Sequence, residues 1–289
     1  MTEDDDGRRG ASFSPAEHAE LALLLEVAGT PKPGNVDRRR DFPDLRFEHF
    51  LAGAVGARRG LDRAAAGAPV GEAFERAVAG MAARQGGGNT QFGCLLLLVP
   101  LVSAAAGGDL TPGGAAAVAE STTVEDAAGF YRAFEHANVA VGDPPAGAGD
   151  LDVRRGGEAI PALRERELTL YDVMEMSADR DGNAREWTGE FRRTFGAAEG
   201  ILADDGPVLD RAARTFLDLL AEEPDSLVAV QHGEAVAADV SRRAAAVRGD
   251  PEAVAALADE LVADGRNPGT TADITAAALF VALERGVAV

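Results

Sequence analysis

The sequence predicts an all-α fold, a single-domain multi-helix bundle built around a buried central apolar helix. Apolar residues recur at three- and four-residue spacing along most of the chain, and no run alternates as a half-buried strand does. Helix start signals recur from one end to the other. One segment, Cys94-Leu95-Leu96-Leu97-Leu98-Val99-Pro100-Leu101-Val102, is apolar on every side, which suits a helix enclosed by others. With 289 residues, 46% of them hydrophobic, the chain can enclose such a helix in one large core.

Residues 1–13 form a polar, acidic start that is expected to fray, ahead of a single domain over residues 14–289. Ser14-Pro15-Ala16-Glu17 combines an N-cap, an N1 proline and a capping glutamate, and opens a helix that turns Leu21, Leu24, Leu25 and Ala28 inward. Gly29-Thr30-Pro31 ends it. A second helix starts near Leu45 with Phe47, Phe50, Leu51 and Val55 on one face, and a third covers about residues 72–84, stopping at Gly86-Gly87-Gly88. Asn89 and Thr90 cap the apolar helix, which Pro100 is expected to kink. Thr111-Pro112 and Thr123-Val124-Glu125-Asp126 open two more. Residues 142–157, rich in Gly, Pro and Asp, read as a long surface loop. A domain boundary there would expose the leucine-rich helix, so one domain is preferred. Helices follow over about residues 169–177, 184–198, 207–222, 226–247 and 251–263. The last begins after Thr270-Thr271-Ala272-Asp273 and carries Ile274, Ala277, Ala278 and Val281 as a stripe.

The formal net charge is −20, from 48 acidic residues against 28 basic ones, and only one of the basic residues is lysine. Such a surface stays hydrated in a high-salt cytoplasm, and a GC-rich genome favouring Arg, Ala and Gly codons would leave a similar trace. The charge argues against duplex nucleic acid and anionic membranes as partners. Cys94 is the sole cysteine, which excludes an intrachain disulfide and a cysteine metal cluster. The apolar run is too short to span a bilayer, and no signal-like segment opens the chain, so a cytoplasmic location is expected.

Three elements carry candidate chemistry. Lys32, in Thr30-Pro31-Lys32-Pro33-Gly34-Asn35-Val36-Asp37, is retained where arginine serves everywhere else. A compact ammonium gripping phosphate is a task at which the two differ. Pro31 and Pro33 stiffen this loop, Gly34 lets backbone approach a ligand, and Arg38, Arg39 and Arg40 add local positive charge. Those arginines have a plainer use in pairing with Asp37, Asp41 and Asp44. Second, Gly86-Gly87-Gly88-Asn89-Thr90-Gln91-Phe92-Gly93 presents backbone N–H groups at a helix N-terminus, which suits phosphate. A flexible linker with an N-cap explains the same run equally well. Third, Asp179, Asp181, Arg185, Glu186 and Glu190, then Asp225 and Ser226, then Asn267, Thr270, Thr271 and Asp273 cluster at helix starts. Each can be a cap, and together they could converge on Mg²⁺ and a triphosphate. His18, His49, His136 and His232 show no ligand spacing.

In order and spacing these elements resemble the triphosphoribosyl-dephospho-CoA synthase family, over about residues 21–283. The family's early Thr-Pro-Lys-Pro-Gly-x-Val-Asp is matched at residues 30–37, its Gly-x-Asn-Thr-His-Lys-Gly by Gly87-Gly88-Asn89-Thr90-Gln91-Phe92-Gly93, and its late Ala-Asp segment by Thr270-Thr271-Ala272-Asp273. Asp225-Ser226-Leu227 resembles a further family step before a helix. The resemblance implies an all-helical transferase that joins ATP to 3′-dephospho-CoA and releases adenine, with Mg²⁺ beside ATP as substrate. It implies Lys32, Pro33, Gly34, Asn35, Arg38, Gly88, Asn89, Thr90, Gly93 and Thr270 as phosphate-binding or nucleotide-binding residues. Asp37, Asp225 and Asp273 become the candidates for metal ligand or base, with Glu186 behind them. Its partners would be small-molecule nucleotides, with a homodimer as the compatible assembly. Where the family has His-Lys, this chain has Gln91-Phe92, and both a titratable group and a cation are lost. That departure leaves two alternatives: a relative working in another cofactor pathway such as pterin synthesis, and a non-catalytic nucleotide-binding protein.

Overall fold

The computed structural model describes residues 13–144 and 147–289, so the expected fraying of the first residues lies almost wholly outside the described part. Helix α1 is Pro15–Ala28, α2 Phe47–Ala65, α3 Val70–Ala82, α4 Phe92–Ala106, α5 Pro112–Glu120, α6 Val124–Ala133, α7 Ile160–Glu165 and α8 Leu170–Glu175. Helix α9 is Gly182–Thr188, α10 Arg192–Ala203, α11 Val208–Glu222, α12 Ser226–His232, α13 Glu234–Ala246, α14 Pro251–Ala263 and α15 Gly269–Glu284. Among the described residues there is no strand, only an isolated bridge between Asp37 and Arg40. The start signals act as expected: Ser14 and Glu17 form a capping box on α1, and Thr111, Thr123, Thr169 and Asp250 cap their helices.

The central apolar helix is α4, with Leu95, Leu97, Leu98, Val99, Leu101 and Val102 all fully buried. It packs against α15, α2, α3 and α1. α15 forms a second centre: from Ile274 to Phe280 every residue is buried, including the Thr275 hydroxyl, which donates to the Thr271 carbonyl. The single stripe expected there is therefore a helix enclosed all round, packed by α1, α4, α10 and α11. The expected kink does not end α4, which runs as one helix through Pro100. Proline cannot donate to the Leu96 carbonyl four residues back, but the Trp187 indole Nε1–H does so instead, at 3.1 Å. A buried tryptophan from α9 thus repairs the ladder.

Two expected helices are broken. The one over residues 184–198 divides into α9 and α10 at Glu190 and Phe191, which take φ of 59° and 54°. There Glu186 caps the new helix, accepting from the Thr194 N–H at 2.8 Å and the Arg193 N–H at 3.3 Å. The one over residues 226–247 divides into α12 and α13 at Gly233, φ 90°. The expected surface loop over residues 142–157 contains two 3-10 turns, Gly149–Leu151 and Val153–Ala159, and the Leu151 carbonyl accepts from the buried Tyr131 hydroxyl at 2.7 Å. Among the described residues no helix is long and apolar enough to cross a membrane.

Candidate active site

The loop between α1 and α2 is closed on itself. Asp37 is fully buried, and its carboxylate accepts from the Thr30 hydroxyl (2.7 Å), the Arg39 N–H (2.8 Å), the Lys32 N–H (3.3 Å) and Arg40 Nη1 (3.1 Å). Arg40 continues outward to Asp259 on α14 at 2.6 Å. Arg38 is exposed and donates to the Ala28 carbonyl. Gly34 adopts φ +77°, and a Cβ there would lie 2.3 Å from the Arg266 carbonyl oxygen, so the glycine brings backbone against backbone and not against a ligand. Lys32 is fully buried. Its ammonium donates to Glu26 Oε1 and, at 2.8 Å, to Asn35 Oδ1, and stands 5.6 Å from the centre of the Phe216 ring. An enclosure of this size explains why lysine is kept where other cations are arginine: the planar guanidinium is bulkier and its donors fork apart.

A cleft of about 910 Å³ lies beside this loop, at the upper end of the range for ligand clefts. Four helix N-terminal ends reach it: Phe92, Gly93 and Cys94 of α4; Asn183 of α9, with Asp181 before it; Ser226 of α12; and Gly269, Thr270 and Asp273 of α15. The sequence places them there by capping. Asn89 Oδ1 accepts from the Phe92 N–H at 3.0 Å, Asp181 from the Ala184 N–H at 2.9 Å, and the Ser226 and Thr270 hydroxyls meet at 2.9 Å. The lining also includes the apolar side chains of Phe42, Phe92, Phe130, Phe134 and Met174.

Asp273 is one of the carboxylates that line the cleft. It keeps partial exposure and accepts from Asn183 Nδ2 at 2.8 Å and from the Cys94 thiol at 3.1 Å. Burial, with Asp225 and Glu26 nearby, pushes its pKa up to about 7 against the pull of those two hydrogen bonds. Gly93 makes this possible, because a Cβ there would lie 1.9 Å from Asp273 Oδ2 and 2.5 Å from Asn183 Nδ2. Asn183 is almost fully buried, and its Oδ1 has no hydrogen-bond partner. Burial also pushes the Cys94 thiol well above its ordinary range, so this cysteine is a neutral donor.

Of the residues expected at the site, the cleft gathers Asn35, Gly88, Asn89, Thr90, Gly93, Thr270 and Asp273. Lys32, Pro33, Gly34, Asp37, Arg38, Glu186 and Asp225 do not line it. Asp225 is buried, accepting from the Leu227 and Val228 N–H groups and from both the N–H and hydroxyl of Thr271 at 2.7 Å, which ties α12 to α15. Asp37, Asp225 and Asp273 therefore do not form a common ligand set, and no group of three or more His, Cys, Asp or Glu among the described residues is placed to hold a metal. The cleft lining includes Glu26, Asp44, Asp152, Asp181 and Asp273 against one basic residue, Arg180. Glu26 and Asn183 escaped the sequence reading, whereas Asn267, expected among the polar residues before the last helix, does line the cleft. Glu26 carried a signal, an acid inside the apolar run Leu23-Leu24-Leu25-Glu26-Val27; Asn183 carried none. Gln91 and Phe92 are part of the interior: Gln91 Nε2 donates to the Phe50 carbonyl at 3.0 Å, and the Phe92 ring packs on Phe74 and Phe134.

The sequence model of the family described as ATP:dephospho-CoA triphosphoribosyl transferase matches residues 12–288. The chain is similar to a crystal structure from Archaeoglobus fulgidus, described provisionally as a triphosphoribosyl-dephospho-CoA synthase. The two are 28% identical with a TM-score of 0.68, over 82% of this chain and 99% of that one. A comparison with curated proteins returns no match.

Proposed function

The chain belongs to the ATP:dephospho-CoA triphosphoribosyl transferase family, and we propose that its cleft joins the ribosyl carbon of ATP to a ribose hydroxyl of 3′-dephospho-CoA with Asp273 as the base. The observation that carries this reading is a carboxylate poised near neutral pH, held by an amide and a thiol in a cleft of nucleotide size. A base matched to the working pH transfers protons best. The acceptor O–H bond breaks as its oxygen bonds to C1′. The bond from C1′ to the adenine nitrogen breaks with its electron pair on adenine. The proton taken by Asp273 is the one adenine needs to leave, so a single group can serve both halves of the step. Asn183 Oδ1, an acceptor without a partner, is suited to a hydroxyl of either sugar.

The triphosphate meets a lining with little cationic help. The N-terminal ends of α4 and α15 supply N–H groups and the positive ends of helix dipoles. No metal cage is preformed among the described residues, and in this reading Mg²⁺ arrives as the counter-ion of ATP, as part of the substrate. This arrangement takes over from the cation that Phe92 lacks. The pterin and non-catalytic readings lose ground to a family match over nearly the whole chain. The substrates and the acidic surface suit an enzyme of a salt-rich cytoplasm. Mass analysis of the products from Mg·ATP and 3′-dephospho-CoA in molar KCl tests the proposal. Free adenine and a triphosphoribosyl adduct are expected from the wild type; intact ATP after prolonged incubation with active-site-titrated protein would overturn it.

A further inference from the structure

Glu26 belongs to no motif, yet it lines the cleft and is almost fully buried. Its two oxygens differ. Oε1 is held by the Lys32 ammonium, and Oε2 takes no hydrogen bond from any described residue. The ammonium is fixed in turn by Asn35, which Asn267 holds through a 2.8 Å bond, and by the Phe216 ring of α11. This is a rigid mount for one carboxylate, built by the Thr-Pro-Lys-Pro-Gly-Asn loop. Resting on the proposed reaction, we propose that Glu26 is a second catalytic carboxylate, whose free oxygen stabilises the positive charge developing on the ribosyl carbon, and that Lys32 is its positioning residue.

Breaking a bond from C1′ to a base nitrogen leaves that carbon electron-poor before the acceptor oxygen closes on it. A fixed anion in a water-poor cleft stabilises such charge most when it needs no reorganisation. Glu26 gains and loses no bond and no proton in the step, while Asp273 carries the proton. The loop's lone lysine then serves catalysis without touching phosphate. Charges act on Glu26 from Lys32 and Asp37 in the loop, and Glu26 acts on Cys94 of α4 and Asp273 of α15. Burial raises its pKa and Lys32 opposes that rise.

The test uses the full chain and three variants. Glu26→Gln is expected to lower kcat by about 10²–10³-fold with little change in KM for ATP. Lys32→Met removes the opposing charge, so its activity is lost first at low pH and returns as pH rises; a merely structural lysine would give the same loss at every pH. Should Lys32→Met fail to fold, Glu26→Gln/Lys32→Met leaves no unpaired charge, and its kcat is expected to equal that of Glu26→Gln alone. Binding supplies a readout apart from turnover. The wild type is expected to bind cationic 1,4-dideoxy-1,4-iminoribitol 5-phosphate more tightly than neutral ribose 5-phosphate, and Glu26→Gln to bind the two alike. A wild type that prefers the cation yet releases no adenine upholds Glu26 and overturns the reaction. Adenine release with Glu26→Gln at wild-type kcat and unchanged cation preference upholds the reaction and overturns Glu26.

Discussion

Asp225 and Asp273 lie near one another at the start of α15, and they differ in what is left to them. Asp225 spends its oxygens on four donors, three of them backbone N–H groups, and holds α12 to α15. Asp273 has one amide and one thiol, retains access to the cleft, and keeps its proton until about pH 7. The same contrast separates the two carboxylates flanking Lys32. Asp37 is surrounded by four donors from its own loop, whereas Glu26 keeps one oxygen free beside the cleft. A buried carboxylate saturated by donors is architecture. A buried carboxylate left partly unsatisfied costs stability, and in a cleft that cost is compatible with chemistry.

The sharpest way to break this comparison is at Asp273. Asp273→Asn is expected to lower adenine release by about 10²–10⁴-fold with the fold intact by circular dichroism. Wild-type kcat/KM should rise with pH through about 7 as this carboxyl ionises. Stability should run the other way. The unfolded carboxyl releases its proton near its ordinary pKa of 3.8 and the folded one near 7, so ionisation costs stability as pH rises between them. Asp273→Asn should therefore melt higher than wild type at pH 8 and alike at pH 3.5; equal melting at both would show that the carboxyl is not strained. Gly93→Ala comes next. Its methyl would meet Asp273 and Asn183, and a drop in kcat of about 10²-fold with secondary structure retained is expected.

Asp225→Ala should show the opposite profile. Losing a cap and an interhelical tie costs about 2–4 kcal/mol in urea melts, while activity per folded molecule falls far less than in Asp273→Asn. The smallest effect probes the interior behind the cleft. Trp187→Phe leaves the Leu96 carbonyl unpartnered and should cost about 1–3 kcal/mol; in a Pro100→Ala background, where residue 100 regains its N–H, the cost should shrink by about 1 kcal/mol. Additive changes would show that the indole does not repair the ladder.

The family membership and the all-helical fold were legible because they rest on local signals and residue order. Caps at Ser14, Thr111, Thr123 and Asp250 and the wholly apolar stretch of α4 each need only near neighbours. The breaks at Glu190-Phe191 and Gly233 were not legible, since Glu186 reaching eight residues on to cap α10 is a choice that packing makes. The site was legible as a set of places and not as a set of roles.

The sequence by itself determined that this chain is a helical bundle of a particular family, that it keeps one lysine, and that carboxylates and amides stand at helix starts. Only the tertiary structure decided which of those groups remain free. Packing closes the α1–α2 loop so that its own donors saturate Asp37 and Lys32 meets Glu26, brings Thr271 from 46 positions on to saturate Asp225, and joins Asn183 to Asp273 with capacity to spare on both. Local pattern sets where a polar group lies along the chain. Burial and the partners that long-range packing brings to it set what that group can do.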